Sequence, residues 1–197
     1  MKILAFVDTH GNNAALDNII IKSKEADILI CAGDLTSWGS DIKKILEKLK
    51  TAGKPMLVIA GNHEIDEELK KVCESFGYIA YIDKGSYEFE DYIFLGYGGG
   101  GFSTRDQRFE QLAKQFAKHI TKEKKVILIT HAPPYGTKLD DMGSIGHRGC
   151  KSIMDFIEKH QPILSISGHL HETAGRKQMI GKTLAINPGP LGKLIKI

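Results

Sequence analysis

The sequence predicts an α/β fold, and three observations support this prediction. Five short apolar runs alternate with longer segments in which apolar residues recur at helical spacing. The runs are almost continuous in apolar and β-branched residues, which is typical of strands buried on both faces of a sheet. The chain has 197 residues, of which 42% are hydrophobic and 26% charged, as in an ordinary globular protein. We therefore expect a single α/β domain over residues 1–197, with mainly parallel strands.

Eight segments are predicted to be strands. The five clearest are the apolar runs at 3–7, 28–32, 56–60, 126–130 and 163–167. Residues 92–97 and 183–187 are further candidates, and residues 193–197 are expected to form an edge strand. The stretch 79–97 differs from the rest, because strand-like runs follow one another there through short turns. We expect antiparallel pairing in that stretch.

Five helices are predicted between these strands, at residues 13–25, 40–53, 66–77, 106–120 and 150–162. The second has the clearest amphipathic pattern, since Ile42, Ile45 and Leu49 share one face. We expect Ser40 to cap its first turn. Pro162 is expected to end the last helix, because proline cannot continue the helical hydrogen bonds.

Each of the five apolar runs is followed by residues that can ligate a metal ion. In chain order these are Asp8 and His10, then Asp34, then Asn62 with His63, then His131, and finally His169 and His171. Taken singly, such residues also fit structural roles, for example a helix cap or an Asx-turn. Because the strands of an α/β sheet end on a common edge, where ligands bind, five coincidences there favour one shared site. Glycine precedes three of the candidate ligands, at Gly33, Gly61 and Gly168, and indicates close approach of the backbone.

The candidate ligands are imidazoles, carboxylates and an amide oxygen, without a thiolate. This set suits manganese, iron, zinc, nickel or cobalt better than copper(I) or a structural zinc. The seven candidates exceed one tetrahedral site and fit two ions sharing a carboxylate: Asp8, His10, Asp34, Asn62, His131, His169 and His171. Two ions about 3.5–4 Å apart stabilise displacement at phosphorus, with a bridging hydroxide as the nucleophile. His63, beside Asn62, is the candidate group for assisting the leaving oxygen.

These motifs resemble those of the calcineurin-like metallophosphoesterases, in particular the small single-domain prokaryotic type. They read "DTH" at 8–10, "GD" at 33–34, "GNHE" at 61–64, "TH" at 130–131 and "GHLH" at 168–171. The resemblance implies two packed mixed β-sheets flanked by helices. It also implies two divalent ions, with manganese as the first expectation. The first ion would be held by Asp8, His10, Asp34 and His171, and the second by Asp34, Asn62, His131 and His169. His63 would donate a proton to the leaving group or stabilise the transition state.

The activity expected from this resemblance is hydrolysis of phosphomonoesters or phosphodiesters, with a small phosphorylated molecule as substrate. One alternative is a non-catalytic scaffold of the same fold that binds a partner protein, but His63 and every candidate ligand are retained. Another is a nuclease. The net charge of +3 and the lack of a concentrated basic stripe give no strong signal for nucleic-acid binding.

Three residues on loop-like segments are candidates for contacting the phosphate: Arg105, His147 and Arg148. The glycine-rich segment 97–105 is expected to be a loop near the site, because it lacks the lysine and the helix context of a P-loop. Trp38 follows Asp34 by four positions and is a candidate for the wall of the pocket, with a cover over the core as the alternative.

Other features of the sequence bear on the cellular location of the protein. The apolar stretches are far shorter than the ~20 residues of a membrane span, and the first residues do not read as a signal peptide. Three scattered cysteines argue against a disulfide framework and against a thiolate zinc site. A cytoplasmic location is the expectation from these features.

Overall fold

The computed structural model describes residues 1–99, 101, 103–121 and 123–197. Along the chain its elements are β1 (Lys2–Phe6), α1 (Asn13–Ser23), β2 (Ile28–Cys31), α2 (Ile42–Lys50), β3 (Met56–Val58), α3 (Asp66–Glu74), β4 (Ile79–Tyr81), β5 (Gly85–Phe89), β6 (Tyr92–Tyr97), α4 (Gln107–His119), β7 (Lys125–Thr130), α5 (Lys151–His160), β8 (Leu164–Ile166), β9 (Lys177–Ile180), β10 (Thr183–Ile186) and β11 (Lys193–Lys196). Short 3-10 turns lie at Gly143–Ile145 and His171–Thr173. The predicted strands and helices are all present, with shifted ends.

The strands form two mixed sheets. In the first, the order is β11-β1-β2-β3-β4, where β1 to β4 are parallel and β11 is antiparallel to β1. In the second, the order is β5-β6-β7-β8-β10-β9, with parallel pairing from β6 to β10 and an antiparallel strand at each edge. Mainly parallel pairing and an edge position for the C-terminal strand are therefore confirmed.

Three apolar layers join the sheets and the helices. The sheets face each other across a core that includes Ile3 and Ile30 of the first sheet and Phe94 and Ile129 of the second. The other face of the first sheet packs on α1, α2 and α3, and the other face of the second packs on α4 and α5. Since both faces of each sheet are covered, the central strands are apolar at almost every position. The prediction of two packed mixed sheets flanked by helices is confirmed.

Residues 79–97 differ from the expectation in one respect. β5 and β6 are antiparallel, with Tyr87 opposite Phe94. β4, however, pairs in parallel with β3 in the first sheet, with Leu57 opposite Ala80. The chain therefore passes from one sheet to the other between β4 and β5. β9, which pairs antiparallel with β10, was not among the predicted strands, because three of its four residues are not buried.

The start of α2 also differs from the expectation. Its N-cap is Asp41, which has φ 55° and makes no side-chain capping hydrogen bond within the described part of the chain. The hydroxyl of Ser40 donates instead to the carbonyl oxygen of Ser37. The prediction of a Ser40 cap is therefore wrong, since the preceding turn takes up this side chain.

The carboxyl ends of β1, β2, β7 and β8 meet at one edge of the molecule. The backbone N–H of Asp8 donates to the carbonyl of Gly33 at 3.2 Å, and that of Gly168 donates to the carbonyl of His131 at 2.9 Å. The two sheets are joined here as well, because Nδ1 of His131 donates to the carbonyl of Ala32 at 3.0 Å. Side chains that follow these strands are thereby brought together.

The cysteines bear on the prediction that the chain has no disulfide framework. Cys31, Cys73 and Cys150 are all free and buried.

None of the helices in the described ranges combines the length and the apolar character that crossing a lipid bilayer requires.

Candidate active site

Asp34 lies at the centre of a group of polar side chains at this edge. Its side chain is only 2% exposed. Oδ2 of Asp34 lies 3.5 Å from Nε2 of His131 and 3.9 Å from Nε2 of His10. The same oxygen lies 4.0 Å from Nε2 of His63. One carboxylate oxygen that follows β2 therefore faces imidazoles that follow β1, β3 and β7.

A first group of four side chains offers ligand atoms at short mutual distances. The ligand atoms of Asp8, His10, Asp34 and His171 all lie within 4.8 Å of one another. Nε2 of His10 is 3.1 Å from Nε2 of His171, and the latter is 4.0 Å from Oδ1 of Asp8. Two carboxylates and two imidazoles so arranged can hold one divalent ion.

A second group shares Asp34 and includes the amide of Asn62. Oδ1 of Asn62 is 3.0 Å from Nε2 of His131 and 2.8 Å from Nδ1 of His169. The backbone N–H of His169 donates to Oδ2 of Asp8 at 3.1 Å. The two groups are thus connected through this hydrogen bond as well as through Asp34.

The hydrogen bonds of two histidines direct lone pairs into the cluster. Nδ1 of His131 donates to the carbonyl of Ala32, and Nδ1 of His10 donates to the carbonyl of Thr36 at 3.2 Å. In the neutral rings, Nε2 therefore carries a lone pair. At His131 this lone pair faces a carboxylate oxygen and an amide oxygen. Because lone pairs repel one another, a proton or a cation must lie between them, and the donor set fits a bound metal ion.

The pKa values of the cluster reflect the same electrostatics. Burial would lower the pKa of His131, but its hydrogen bond to Asp34 and the charge of that carboxylate outweigh burial and raise the pKa. Burial would raise the pKa of Asp34, but the hydrogen bond and charge of His131 lower it to about 2. Burial, helped by the charge of His131, lowers the pKa of His169 to about 4. A proton shared by Asp34 and His131 is therefore stabilised at the position that a bound cation could occupy.

Four of the candidate ligands have a left-handed backbone conformation. The φ angles are 55° at Asp8, 46° at His10, 49° at Asp34 and 70° at His169. Residues with a Cβ rarely adopt this region, and each instance costs on the order of 1–3 kcal/mol. The surrounding fold therefore holds these ligand positions in a costly geometry, as is common at functional sites.

Two glycines allow the ligand-bearing turns to touch. A Cβ added at Gly61 would lie 2.0 Å from Oδ1 of Asp34. A Cβ added at Gly168 would lie 2.1 Å from Cγ2 of Val7, in the turn before Asp8. The close approach predicted from the glycines is confirmed at both positions.

His63 lies beside the ligands without belonging to either group. Its Nδ1 is buried and has no hydrogen-bond partner among the described residues, whereas Nε2 faces Asp34. The rings of His10 and Trp38 lie 4.5 Å and 4.3 Å from its ring centroid. A buried acceptor without a partner is less costly than a buried N–H without one. We infer that neutral His63 carries its proton on Nε2.

Comparisons with known proteins identify the family of this chain. The family description "calcineurin-like phosphoesterase" matches residues 1–173. The chain belongs to this family. A protein of Methanocaldococcus jannaschii is 32% identical to it over 96% of this chain and 88% of the relative. A probable glycerophosphodiester phosphodiesterase of Arcobacter nitrofigilis is 29% identical over 85% of this chain and 65% of the relative.

The fold of this calcineurin-like phosphoesterase is also shared with solved structures. The crystal structure of a Thermus thermophilus protein matches it with a TM-score of 0.77 and 18% identity, over 96% of this chain and 89% of the other. Family membership and the relatives point to a hydrolase of phosphoric esters. The cluster around Asp34 is the candidate site for its divalent metal.

Glu64 has a role in this calcineurin-like phosphoesterase that the sequence did not predict. Oε2 accepts the backbone N–H groups of Asp34 at 3.0 Å and Gly61 at 2.9 Å. Oε1 accepts the backbone N–H and the hydroxyl of Thr36, both at 2.8 Å. One carboxylate thus joins the turns that follow β2 and β3. Its position in "GNHE" was the only sequence signal.

Two of the predicted substrate residues line a cavity beside the ligands. His147 and Arg148 share this cavity of about 360 Å³ with Leu170, which lies between the two histidines of the "GHLH" motif. Nδ1 of His147 is 2.8 Å from Oδ1 of Asp140, a fully buried carboxylate. This contact with Asp140 could not be predicted from the sequence.

Arg105 occupies a different place. Its guanidinium is ion-paired with Asp155 and with Glu110, which are surface residues of α5 and α4. It also lines a cavity of about 600 Å³ that reaches Gly61 and Glu64. The structure therefore places Arg105 beside the site, with its charge already paired. In the glycine-rich segment 97–105, positions 100 and 102 lie outside the described residues.

Proposed function

We propose that the chain is a dinuclear metal-dependent phosphoesterase. The observation that carries the proposal is the position of Asp34, whose Oδ2 faces histidines of both ligand groups. A single carboxylate shared by two groups of donors is the arrangement that a two-metal site requires.

Each ligand group would hold one ion, with Asp34 in both. Asp8, His10 and His171 would complete the first site, and Asn62, His131 and His169 would complete the second. Imidazole, carboxylate and amide donors suit manganese, which we expect first, and also iron, zinc, nickel or cobalt. When bound, such ions lower the pKa of water and neutralise charge on phosphate oxygens.

His63 is the residue of this chain that we expect to handle a proton. Its Nε2–H faces the cluster and its Nδ1 is buried, so the proton available for transfer lies on the side of the ligands. In the imidazolium form, which carries a proton on each ring nitrogen, donation from Nε2 to the leaving oxygen would leave a neutral ring with its proton on Nδ1, and the leaving group would depart as an alcohol instead of an alkoxide. The rings of His10 and Trp38 on either side restrict its rotation.

Phosphoric esters are the proposed substrates, with diesters favoured over monoesters. Relatives support this preference, since they include a probable glycerophosphodiester phosphodiesterase and a probable cyclic nucleotide phosphodiesterase of a Synechococcus strain. His147 and Arg148 would contact the ester from the cavity beside Leu170. Arg105 would contribute only if a substrate displaced its present carboxylate partners.

The test begins with metal-free protein that is reloaded with manganese. We expect about two ions per chain and hydrolysis of bis(p-nitrophenyl) phosphate. Asp34→Asn should lose the bound ions and the hydrolytic activity, with a fall in kcat/KM of about a hundredfold or more. Asp17→Asn, at an exposed ion pair with Lys48, is the matched control and should change neither. Undiminished hydrolysis in Asp34→Asn, or in metal-free protein, would contradict the proposal.

A second variant isolates the proton donor. His63→Ala should retain about two ions per chain, because His63 belongs to neither ligand group. Its kcat should fall by about 10²–10⁴, the usual contribution of a general acid. Unchanged kcat would remove His63 from the mechanism, and loss of metal would make it a ligand.

A further inference from the structure

Trp38 is a large aromatic side chain that lies exposed beside the cluster. Its side chain belongs to the single tryptophan of the sequence and is 77% exposed. The indole centroid is 4.3 Å from that of His63, and the ring planes differ by 31°. One part of the indole therefore packs on His63, while most of its surface contacts solvent. An exposed indole loses the stabilisation that burial would bring, so its position needs an explanation.

The backbone holds this indole in place. Trp38 has φ 56°, a left-handed conformation that residues with a Cβ seldom adopt. The turn around it is fixed at both ends. Thr36 donates to the carboxylate of Glu64, and the hydroxyl of Ser37 donates to the carbonyl of His10 at 3.2 Å. The N–H of Gly39 donates to the hydroxyl of Thr36 at 2.9 Å. The turn that carries Trp38 is therefore anchored to a metal-ligand position and to the carboxylate that organises the site.

We infer that Trp38 is a stacking surface for an aromatic ring in the leaving group of the substrate. This inference rests on the proposed function, because it uses His63 as the donor to the leaving oxygen. The atoms attached to that oxygen must leave the cluster on the side of His63, where the exposed indole lies. A flat ring, such as a nucleobase or an aryl group, can stack on the indole without a specific hydrogen bond.

The competing explanation is that Trp38 only covers His63. An aliphatic side chain would cover an imidazole equally well, whereas stacking needs an aromatic ring with an accessible face. The two explanations therefore differ in what Trp38→Leu does. If Trp38 only covers His63, its loss should affect every ligand equally. If Trp38 is a stacking surface, its loss should remove the preference for ligands that carry a ring.

The test compares two pairs of phosphonate ligands in the manganese-loaded protein. The methylene phosphonate analogues of adenosine 5′-monophosphate and ribose 5-phosphate differ by a nucleobase, and benzylphosphonate and propylphosphonate differ by an aryl ring. None of the four can be hydrolysed, because carbon replaces the ester oxygen. Calorimetric Kd values should favour the ring-bearing member by about tenfold in at least one pair, which also identifies the kind of ring. In Trp38→Leu this preference should fall towards one, and in Trp38→Phe it should be partly retained.

Met179→Ala provides the control, since Met179 is an exposed apolar residue on the edge strand β9. It should leave all four Kd values unchanged, and manganese content should be equal in all variants. Equal affinity within both pairs in the wild type, a preference that survives in Trp38→Leu, or an equal loss for both members of a pair would overturn the inference. If the protein preferred the ring-bearing ligands but hydrolysed no ester, the proposed function would be wrong, whereas the assignment of Trp38 as a stacking surface would still be supported.

Discussion

The carboxylate of Glu64 accepts the backbone N–H of Asp34 at 3.0 Å, in a turn that follows a different strand. The same carboxylate accepts the N–H of Gly61 and two donors of Thr36. Hydrogen bonds from N–H groups to a carboxylate are stronger than those to a neutral acceptor. Glu64 therefore fixes Asp34 and the Asn62 turn relative to each other, which a site built from separate strands requires.

Replacing Glu64 by glutamine should weaken both the fold and the metal site. The amide offers one acceptor where the carboxylate has two, and its NH₂ group would face backbone donors. We expect Glu64→Gln to lower the free energy of unfolding by about 1–3 kcal/mol, the usual cost of unpaired buried donors. Urea denaturation of the metal-free protein measures this change. Manganese affinity should fall by about 10–100-fold, as for other groups that orient metal ligands.

Glu74→Gln is the control for this change, since Glu74 is an exposed residue at the other end of α3. It should leave stability and manganese affinity within error of the wild type. If Glu64→Gln behaved in the same way, the carboxylate would not be organising the site.

A single added methyl group at Gly61 should have a comparable effect through steric overlap. A Cβ there would lie 2.0 Å from Oδ1 and 2.4 Å from the backbone nitrogen of Asp34, so one of the two turns must move. Overpacking of this kind costs about 1–3 kcal/mol. Gly61→Ala should also lose manganese, because the displaced residue belongs to both ligand groups.

Gly77→Ala is the matched control for the Gly61 variant. An added Cβ at Gly77 would meet no heavy atom of the described residues within 4 Å. Thermal unfolding and metal analysis of the two alanine variants should therefore separate the overlap from any general effect of replacing glycine. Equal behaviour of the two would show that the turns around Asp34 are more adaptable than the structure indicates.

The outline of the site could be predicted from the sequence for a simple physical reason. Parallel strands end on a common edge, so Asp8, Asp34 and His131 could be placed together from the positions of three apolar runs. Glu64 and Asp140 could not be assigned roles in this way, because their partners are mainly backbone N–H groups. Backbone donors have no sequence signature, and only the folded turns show which carboxylate they reach.

The fold shows a similar division. Buried strands such as β2 and β7 were predictable, because they are apolar at nearly every position. The sheet to which β4 belongs was not, because strand-like runs follow one another through 79–97 and the crossing between sheets leaves no local pattern. β9 was missed since an edge strand with exposed residues reads as a loop.

The cysteines should be unreactive in the folded protein. Burial, together with the nearby Glu64 charge, raises the pKa of the Cys73 thiol to about 12, and burial also raises the pKa values of Cys31 and Cys150. The thiolate is the reactive form, and a raised pKa keeps the proton on sulfur until the pH approaches that value. At pH 8 a thiol of pKa 12 is about 10⁻⁴ ionised, against about a quarter for a free cysteine.

Titration with a disulfide reagent at pH 8 checks this expectation. The native protein should react slowly, at a rate set by local opening of the fold. In the denatured protein all three thiols should react. Rapid reaction of any cysteine in the native protein would show that its surroundings are less closed than the structure indicates.

The pair Asp140 and His147 allows the proposed substrate cavity to be tested without changing any of the candidate metal ligands. The fully buried carboxylate of Asp140 accepts Nδ1–H of His147 at 2.8 Å and the N–H groups of Thr137 at 2.7 Å and Gly149 at 2.9 Å. It thereby fixes the loop that carries His147 and Arg148. Asp140→Asn replaces one of its acceptor oxygens by a donor, so the loop should lose its fixed position.

We expect Asp140→Asn to raise KM for an ester substrate by about 5–10-fold, since contacts of a loop residue with substrate are weakened while the metal ligands stay in place. His147→Gln should raise KM to a similar extent. The double variant should be worse than His147→Gln alone, because Asp140 also holds the N–H groups of Thr137 and Gly149. The combined effect should be smaller than the sum of the two single effects, because both changes remove the contact between Asp140 and His147. Asp141→Asn, which alters an exposed neighbour in the same loop, should leave KM unchanged. A fully additive double variant would mean that the contact between Asp140 and His147 contributes nothing to substrate binding.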